Sequence, residues 1–97
     1  MSNKARSAIV LSQPGTESRT FDVNVVEYVL IARGDRGTAR LRIYDAPVAE
    51  DGDKIVDVTI DAGEDLRDVV HPPKLCNGIF VQLTKTETCE PHCEVNY

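Results

Sequence analysis

The pentapeptide Cys-Glu-Pro-His-Cys, near the end of the printed sequence, contains the side chains best suited to chemistry. Thiolate and imidazole groups are preferred ligands of Zn²⁺, which makes Cys89, His92 and Cys93 candidate metal ligands. A closed zinc site needs four ligands, and His71 and Cys76 are the candidates left to complete it. Cys76 precedes a predicted strand that spans about 17–20 Å at a rise of ~3.3 Å per residue, and the pentapeptide follows that strand. The spacing therefore separates Cys76 from the other candidates, and we expect no four-ligand metal site and no other cofactor; a small metal-binding protein that uses Cys89, His92 and Cys93 is an alternative function.

The two cysteines of the pentapeptide have two further interpretations. Cys89 and Cys93 flank three residues, and opposed residues of a hairpin can meet the ~5.5 Å Cα spacing that a disulfide needs. Such a bond would close a very small loop, so its stabilising effect would be modest. Free thiols are expected instead in a reducing cytoplasm, and three cysteines are an odd number for a secreted disulfide framework. Disulfide, free thiols and metal ligands all remain open at this point.

A second motif lies in the middle of the chain, where Arg33, Gly34 and Asp35 spell the tripeptide that integrins recognise. Arg36 and Gly37 follow, and the whole segment separates two predicted strands. Glycines supply positive φ in tight turns, and charged side chains keep such turns hydrated. The pattern therefore indicates a turn, with a cell-adhesion or ligand-binding loop as an alternative function.

The remaining polar residues give no pattern typical of an active site. Asp51-Gly52-Asp53 matches part of a calcium-binding loop but lacks its closing glutamate. The cysteines and His92 lie on no strand-to-helix elbow, and no glycine-rich phosphate loop is present. We therefore predict that the protein is not an enzyme.

Alternation of apolar and polar residues predicts the strands that position these groups. Ala39, Leu41 and Ile43 should face inward, and Arg40, Arg42 and Tyr44 outward. The same period-two pattern predicts two more inward-facing sets: Val56, Val58 and Ile60, and Ile79, Val81 and Leu83. Short strands spaced by turns predict an all-β fold, a small antiparallel β-sandwich of jelly-roll or immunoglobulin-like type with six to eight short strands.

Several local features refine this interpretation. A change of phase near Val25-Val26 predicts a bulge or a strand covered on both faces. Residues 64–67 fit one helical turn, Pro72-Pro73 should end a strand, and Asn77-Gly78 should form a tight turn. Residues 1–20 are predicted to be a mobile N-terminal arm with a possible first strand at 8–12, residues 21–97 the sandwich domain, and residues 93–97 its closing strand.

Composition limits the classes of partner. The 97 residues carry a formal net charge of −5, which disfavours nucleic acid and an anionic membrane surface. No apolar run is long enough for a signal peptide or a membrane span, so we expect a cytoplasmic origin. A chain this short has a thin core, here mostly Val, Ile and Leu, and gains stability from burial against another subunit.

From Tyr28 to Tyr97 the order of strands and turns resembles small all-β virion proteins of tailed bacteriophages. The best-matching segments are the strand Arg42-Ile43-Tyr44-Asp45 and the segment from Asn77 to Leu83 before a final hairpin. The cysteine-rich hairpin departs from the glycine-rich final turn of such proteins. The resemblance implies a non-enzymatic decoration, cement or head–tail protein. Its partners would be the major capsid protein, other virion proteins and its own copies, in a homo-oligomer assembled in the host cytoplasm and located in the virion.

Overall fold

The computed structural model describes residues 7–46 and 53–97, and of residues 53 and 71–74 the backbone alone. These residues form one antiparallel sheet and no helix, which confirms the predicted all-β fold. The six strands are β1 (Ala8–Leu11), β2 (Gly15–Arg33), β3 (Thr38–Asp45), β4 (Asp53–Asp61), β5 (Asp65–Lys85) and β6 (Glu90–Asn96). Their order in the sheet is β1-β6-β2-β5-β3-β4. Within these residues no helix is long and apolar enough to cross a membrane.

Two long strands divide the sheet into two halves. β2 has 19 residues and β5 has 21, so the expectation that all strands are short is wrong for these two. The first half contains β1, β6, the end of β2 from Glu27 onward and the start of β5. The second half contains the start of β2 up to Val25, the end of β5, β3 and β4. Because β2 and β5 run through both halves, the sheet is continuous.

The sheet folds over so that its halves enclose one core. β3 and β6 contact each other although β2 and β5 lie between them in the strand order. A flat sheet would hold β3 and β6 about 14 Å apart at ~4.8 Å per strand. Fully buried side chains from both halves form a single hydrophobic cluster that includes Ile9, Leu30, Cys93 and Val95 of the first half and Leu41, Ile43, Ile79, Val81 and Leu83 of the second. The sandwich therefore consists of one sheet folded over on itself.

The fold-over occurs at a break in the β2–β5 ladder. Val25 pairs with Lys74 and Glu27 pairs with Val69, so the backbone of residues 70–73 passes opposite one residue of β2. This irregularity confirms the bulge predicted near Val25-Val26. Pro72 and Pro73 lie in this stretch, where neither could donate to a ladder. The prediction that they end a strand is wrong, because β5 continues beyond them to Lys85.

A second irregularity corrects the turn predicted at Asn77-Gly78. Arg19 pairs with Ile79 and Asp22 with Asn77, so two residues of β2 lie opposite Gly78 alone. Gly78 has a φ of 89°. A glycine with positive φ suits a bulge as well as a turn, and here β2 continues alongside it. The helical turn predicted over residues 64–67 is also wrong, because β5 already begins at Asp65.

The inward positions of the core strands follow the predicted alternation. Ala39, Leu41 and Ile43 are fully buried, as are Ile79 and Val81. Tyr44, expected to face outward, is buried as well. The β3–β4 register shifts between Ile43 and Tyr44, and the Tyr44 ring packs with its centroid 6.1 Å from that of Phe80.

The two ends of the described chain pair with each other. Ala8 lies opposite Asn96 and Leu11 opposite Cys93, so the first and last strands form an antiparallel pair. The closing strand expected over residues 93–97 is therefore a member of the sheet, within β6. Residues 15–20 belong to β2, so the sheet begins at Ala8 rather than at Phe21. Residues 1–6 of the predicted arm lie outside the described residues.

Candidate interaction site

The cysteine–histidine segment does not bring its three candidate ligands together. Cys89 and Cys93 are free thiols, both fully buried in the core. Neighbouring side chains of a strand point to opposite faces, so His92 lies on the outer face of β6, with its Nδ1 3.0 Å from Ser12 Oγ. Among the side chains that the structure describes, no group of three or more His, Cys, Asp or Glu could hold a metal ion. The side chains of His71 and of the calcium-like motif, residues 51–53, lie outside that set.

The environment of Cys93 makes its thiol unreactive. Burial raises the pKa of Cys93 to about 11; a hydrogen bond with the backbone of Leu11 opposes this shift and the charge of Glu94 adds to it. The thiolate is the nucleophilic and metal-binding form of cysteine, and at neutral pH Cys93 is almost entirely in the thiol form. Its role in this structure is that of a small apolar core side chain.

Cys76 is also a buried, reduced thiol. It lies on β5, where it pairs with Val23, nine positions before Lys85 at the end of the strand. All three cysteines belong to the one hydrophobic core.

The Arg33-Gly34-Asp35 segment forms the exposed turn between β2 and β3. Gly34 has a φ of 101°, and a Cβ at this position would lie 2.7 Å from the Thr88 carbonyl oxygen. Glycine is therefore required at position 34, because the backbone there has a positive φ and passes close to the β5–β6 loop. Arg33 and Asp35 are exposed, and the adhesion function of this turn stays a prediction.

The outer surface of the first half combines aliphatic and charged side chains. In register across the strands, Val10 lies beside Glu94, Glu94 beside Val29, and Val29 beside Arg67. The next row places His92 and Asp65 on either side of Ile31, and the row on the other side contains Ala8, Asn96, Glu27 and Val69. Val10 is 53% exposed and Val69 60%. We call this surface, defined by Val10, Val29, Ile31 and Val69 with the charged residues between them, the aliphatic face.

Around β3 and β4 the outer surface of the second half is polar and contains ion pairs. We call it the polar face and define it by a row across four strands, Thr16, Gln82, Arg42 and Asp57, with Arg40 and Thr59 beside it. Arg40 donates two hydrogen bonds to Asp57, Nε to Oδ1 at 2.8 Å and Nη2 to Oδ2 at 2.7 Å. Lys54 Nζ donates to the same carboxylate at 2.9 Å. Arg40, and to a lesser extent Lys54, holds the pKa of Asp57 well below its usual range.

One signal in the sequence could have identified the aliphatic face. Tyr28-Val29-Leu30-Ile31-Ala32 is apolar at every position, so it supplies both an inward and an outward apolar row. The alternative of a strand covered on both sides was considered for this segment, but the identity of the outward residues depends on the register with β6 and β5. Comparisons of the chain with protein-family models, curated proteins and solved structures found no match.

Proposed function

We propose that this protein is a non-enzymatic structural protein of a tailed-bacteriophage virion. It would bind the capsid shell or neighbouring copies as a decoration, cement or head–tail protein. The resemblance of its strand and turn pattern to such virion proteins supports the phage assignment. The observation that carries a binding role is the edge of β1, which no other described strand pairs with and which can accept a strand from a partner protein.

The backbone of β1 directs hydrogen-bonding groups away from the sheet. The Tyr97 N–H donates to the Ser7 carbonyl oxygen at 3.0 Å, and these two residues lie directly opposite each other in the β1–β6 register. Hydrogen-bonded and non-hydrogen-bonded pairs alternate along an antiparallel ladder. Ala8 and Val10 therefore belong to the non-hydrogen-bonded pairs, and their N–H and C=O groups point to the open side of β1.

This edge lacks the features that protect sheet edges from pairing. Natural edge strands carry charges, prolines or bulges that prevent association. β1 has the sequence Ala-Ile-Val-Leu, continues in register along β6 and exposes the Val10 side chain. The strand at the other end of the sheet, β4, contains Lys54, Asp57 and Asp61. Of these two edges, β1 is the one suited to strand addition.

Co-purification tests the proposed role in a particle. Particles purified from cultures that carry the gene should contain the chain at a fixed ratio to the shell protein, measured by quantitative mass spectrometry. A ratio that varies between preparations, or particles without the chain, would contradict the virion assignment.

A proline at the open edge tests the mode of binding. Val10→Pro removes an N–H that the β1–β6 ladder does not use, and edge strands tolerate proline at such positions. We expect the variant to fold and to bind particles at least about tenfold more weakly, because main-chain hydrogen bonds give strand addition its affinity. Val10→Thr is the matched control, since it retains the N–H and a β-branched side chain. Equal binding by Val10→Pro and the wild-type protein would contradict strand addition at β1.

A further inference from the structure

We infer that the aliphatic face is a homodimer interface, occupied by the same face of a second copy. This inference rests on the self-association part of the proposed function and names its surface and partner. The surface differs from the β1 edge, which is assigned to strand addition. Three observations carry it: the exposed aliphatic residues, the positions of the charges around them and the absence of ion pairs for Glu94 and Arg67 within the described part of the chain.

The centre of the face is apolar. Val29 and Ile31 occupy successive outward positions of β2, with β6 on one side and β5 on the other. Both are only half-buried in the monomer, and Val69 on β5 is more exposed still. Covering these side chains with another apolar surface removes them from water, which favours association.

Charges of opposite sign flank this centre. Glu94 lies beside Val29 on β6, and Arg67 lies beside Val29 on β5. The two Cα atoms are therefore separated by two strand spacings, about 10 Å. Within the described residues neither side chain forms an ion pair. The next row repeats the arrangement around Ile31, with His92 on β6 and Asp65 on β5.

This pattern is complementary to itself under one symmetry operation. A two-fold axis parallel to β2 and lying between two stacked faces exchanges the β6 side of one copy with the β5 side of the other. Glu94 then faces Arg67 of the second copy, and Arg67 faces its Glu94. Asp65 and His92 meet in the same way, while Val29 and Ile31 face their own counterparts. Such an isologous contact forms a closed dimer.

The size of the face sets the expected affinity. Under this axis three strands of each copy overlap, namely β6, β2 and β5. At ~4.8 Å per strand and ~6.6 Å for each of three outward rows, the overlap is on the order of 15 × 20 Å. This is smaller than stable specific interfaces and is typical of weak, transient contacts. We therefore expect a weak dimer, detectable as the protein concentration rises from about 1 to 500 µM, which spans the range of weak associations.

Charge exchange tests the interface by sedimentation-velocity ultracentrifugation over that concentration range. Glu94→Lys and Arg67→Glu should each raise the dimer Kd at least about tenfold, because each places like charges opposite each other. The double variant should return the Kd to within about threefold of the wild-type value, because the lysine introduced in each copy would then face the glutamate introduced in the other.

The exposed turn provides matched controls. Asp35→Lys and Arg36→Glu make the same changes of net charge on the turn between β2 and β3, and they should leave the Kd unchanged. Circular dichroism and a urea midpoint for each variant confirm that it is folded. A chain that is monomeric throughout the concentration range, single variants that dimerise like the wild-type protein, or a double variant weaker than both single variants would each overturn the inference.

The outcomes also separate this inference from the proposed function. Under this two-fold axis β1 extends beyond β5 of the second copy, so Val10→Pro should lose particle binding and still dimerise. Glu94→Lys should lose dimerisation and retain particle binding through the β1 edge. A monomeric chain that co-purifies with particles would contradict the dimer alone. A dimer absent from particles would contradict the virion assignment alone.

Discussion

The aliphatic face and the polar face cover the same core but differ in whether their charged side chains form ion pairs within the molecule. On the polar face, Asp57 accepts hydrogen bonds from Arg40 and Lys54 of the same molecule. On the aliphatic face, Val29 separates Glu94 from Arg67, and neither forms an ion pair within the described residues. The charge of Asp57 is therefore neutralised within one molecule. Charges placed around an apolar centre make a surface that a second copy completes.

The largest expected effect tests whether the two halves share one core. Leu30 lies in the first half and Leu41 in the second, and both are fully buried. Leu30→Ala and Leu41→Ala should each lower the free energy of unfolding by about 2–5 kcal/mol. Urea unfolding followed by circular dichroism should show one cooperative transition for both variants. A second transition, or a variant as stable as the wild-type protein, would mean that the halves do not form one unit.

Two glycine turns that connect the halves should differ in their tolerance of a side chain. Gly37 and Gly63 have φ values of 97° and 94°. A Cβ on Gly37 would collide with the Thr86 carbonyl oxygen, whereas a Cβ on Gly63 would meet nothing within 4 Å. Gly63→Ala should therefore cost about 1 kcal/mol, from backbone strain alone, and Gly37→Ala about 2–4 kcal/mol. Equal urea midpoints for the two variants would argue against close packing of the β2–β3 turn on the β5–β6 loop.

Alkaline pH should destabilise the first half through Cys93. Burial raises the pKa of Cys93 to about 11, above its value in the unfolded chain, so the folded state favours the neutral thiol. The stability from this preference is fully present below about pH 8.5 and is lost as pH rises through about 11, with a total of up to about 2–3 kcal/mol. Cys93→Ala should lose less stability over the same range. Urea midpoints at pH 8 and pH 10.5 measure the difference, and parallel losses in both proteins would contradict the assignment.

The smallest effect concerns the ion pairs of the polar face. Asp57→Asn should lower stability at pH 7 by about 0.3–1 kcal/mol, the range of partly exposed ion pairs. Arg40 and Lys54 depress the pKa of Asp57, so this contribution is present above about pH 4 and is lost as pH falls through the depressed value.

The aliphatic face supplies the control for this measurement. Glu94→Gln should leave the stability of the monomer within about 0.5 kcal/mol, because no partner in the described part of the chain is lost. If Glu94→Gln costs as much as Asp57→Asn in dilute protein, the contrast between the two faces is wrong.

Local sequence patterns predicted which residues form strands. Pairing between distant segments determines whether a given segment is a turn, a strand end or a bulge. Period-two alternation identified the inward residues of β3 and the segment 79–83, because facing is a local property of a strand. The same local chemistry of Asn77-Gly78 and Pro72-Pro73 is compatible with a turn, an end or a bulge. The outcome depends on β2, which continues alongside β5 although more than fifty residues separate them, as the pairing of Val23 with Cys76 shows.

The candidate surfaces were harder to predict than the core for the same reason. β1 is an edge because β6 pairs with one of its sides and no described strand pairs with the other. Glu94 flanks Val29 because β6 pairs with β2 in one particular register. No residue near β1 or Val29 in the sequence specifies those partners. The sequence could therefore indicate the apolar run around Val29, but not the charges that surround it in the folded molecule.

The pairing of β1 with β6 also constrains when the protein can fold during synthesis. Ala8 must wait for Asn96, the residue opposite it, to leave the ribosome. At about 5–20 residues per second, on the order of 4–16 s pass between the emergence of β1 and that of β6. Throughout that interval the apolar Ala-Ile-Val-Leu segment has no partner in its own chain, so nascent chains on one polysome can pair with one another. We expect this protein to fold after translation and to depend on chaperones that shield its first strand.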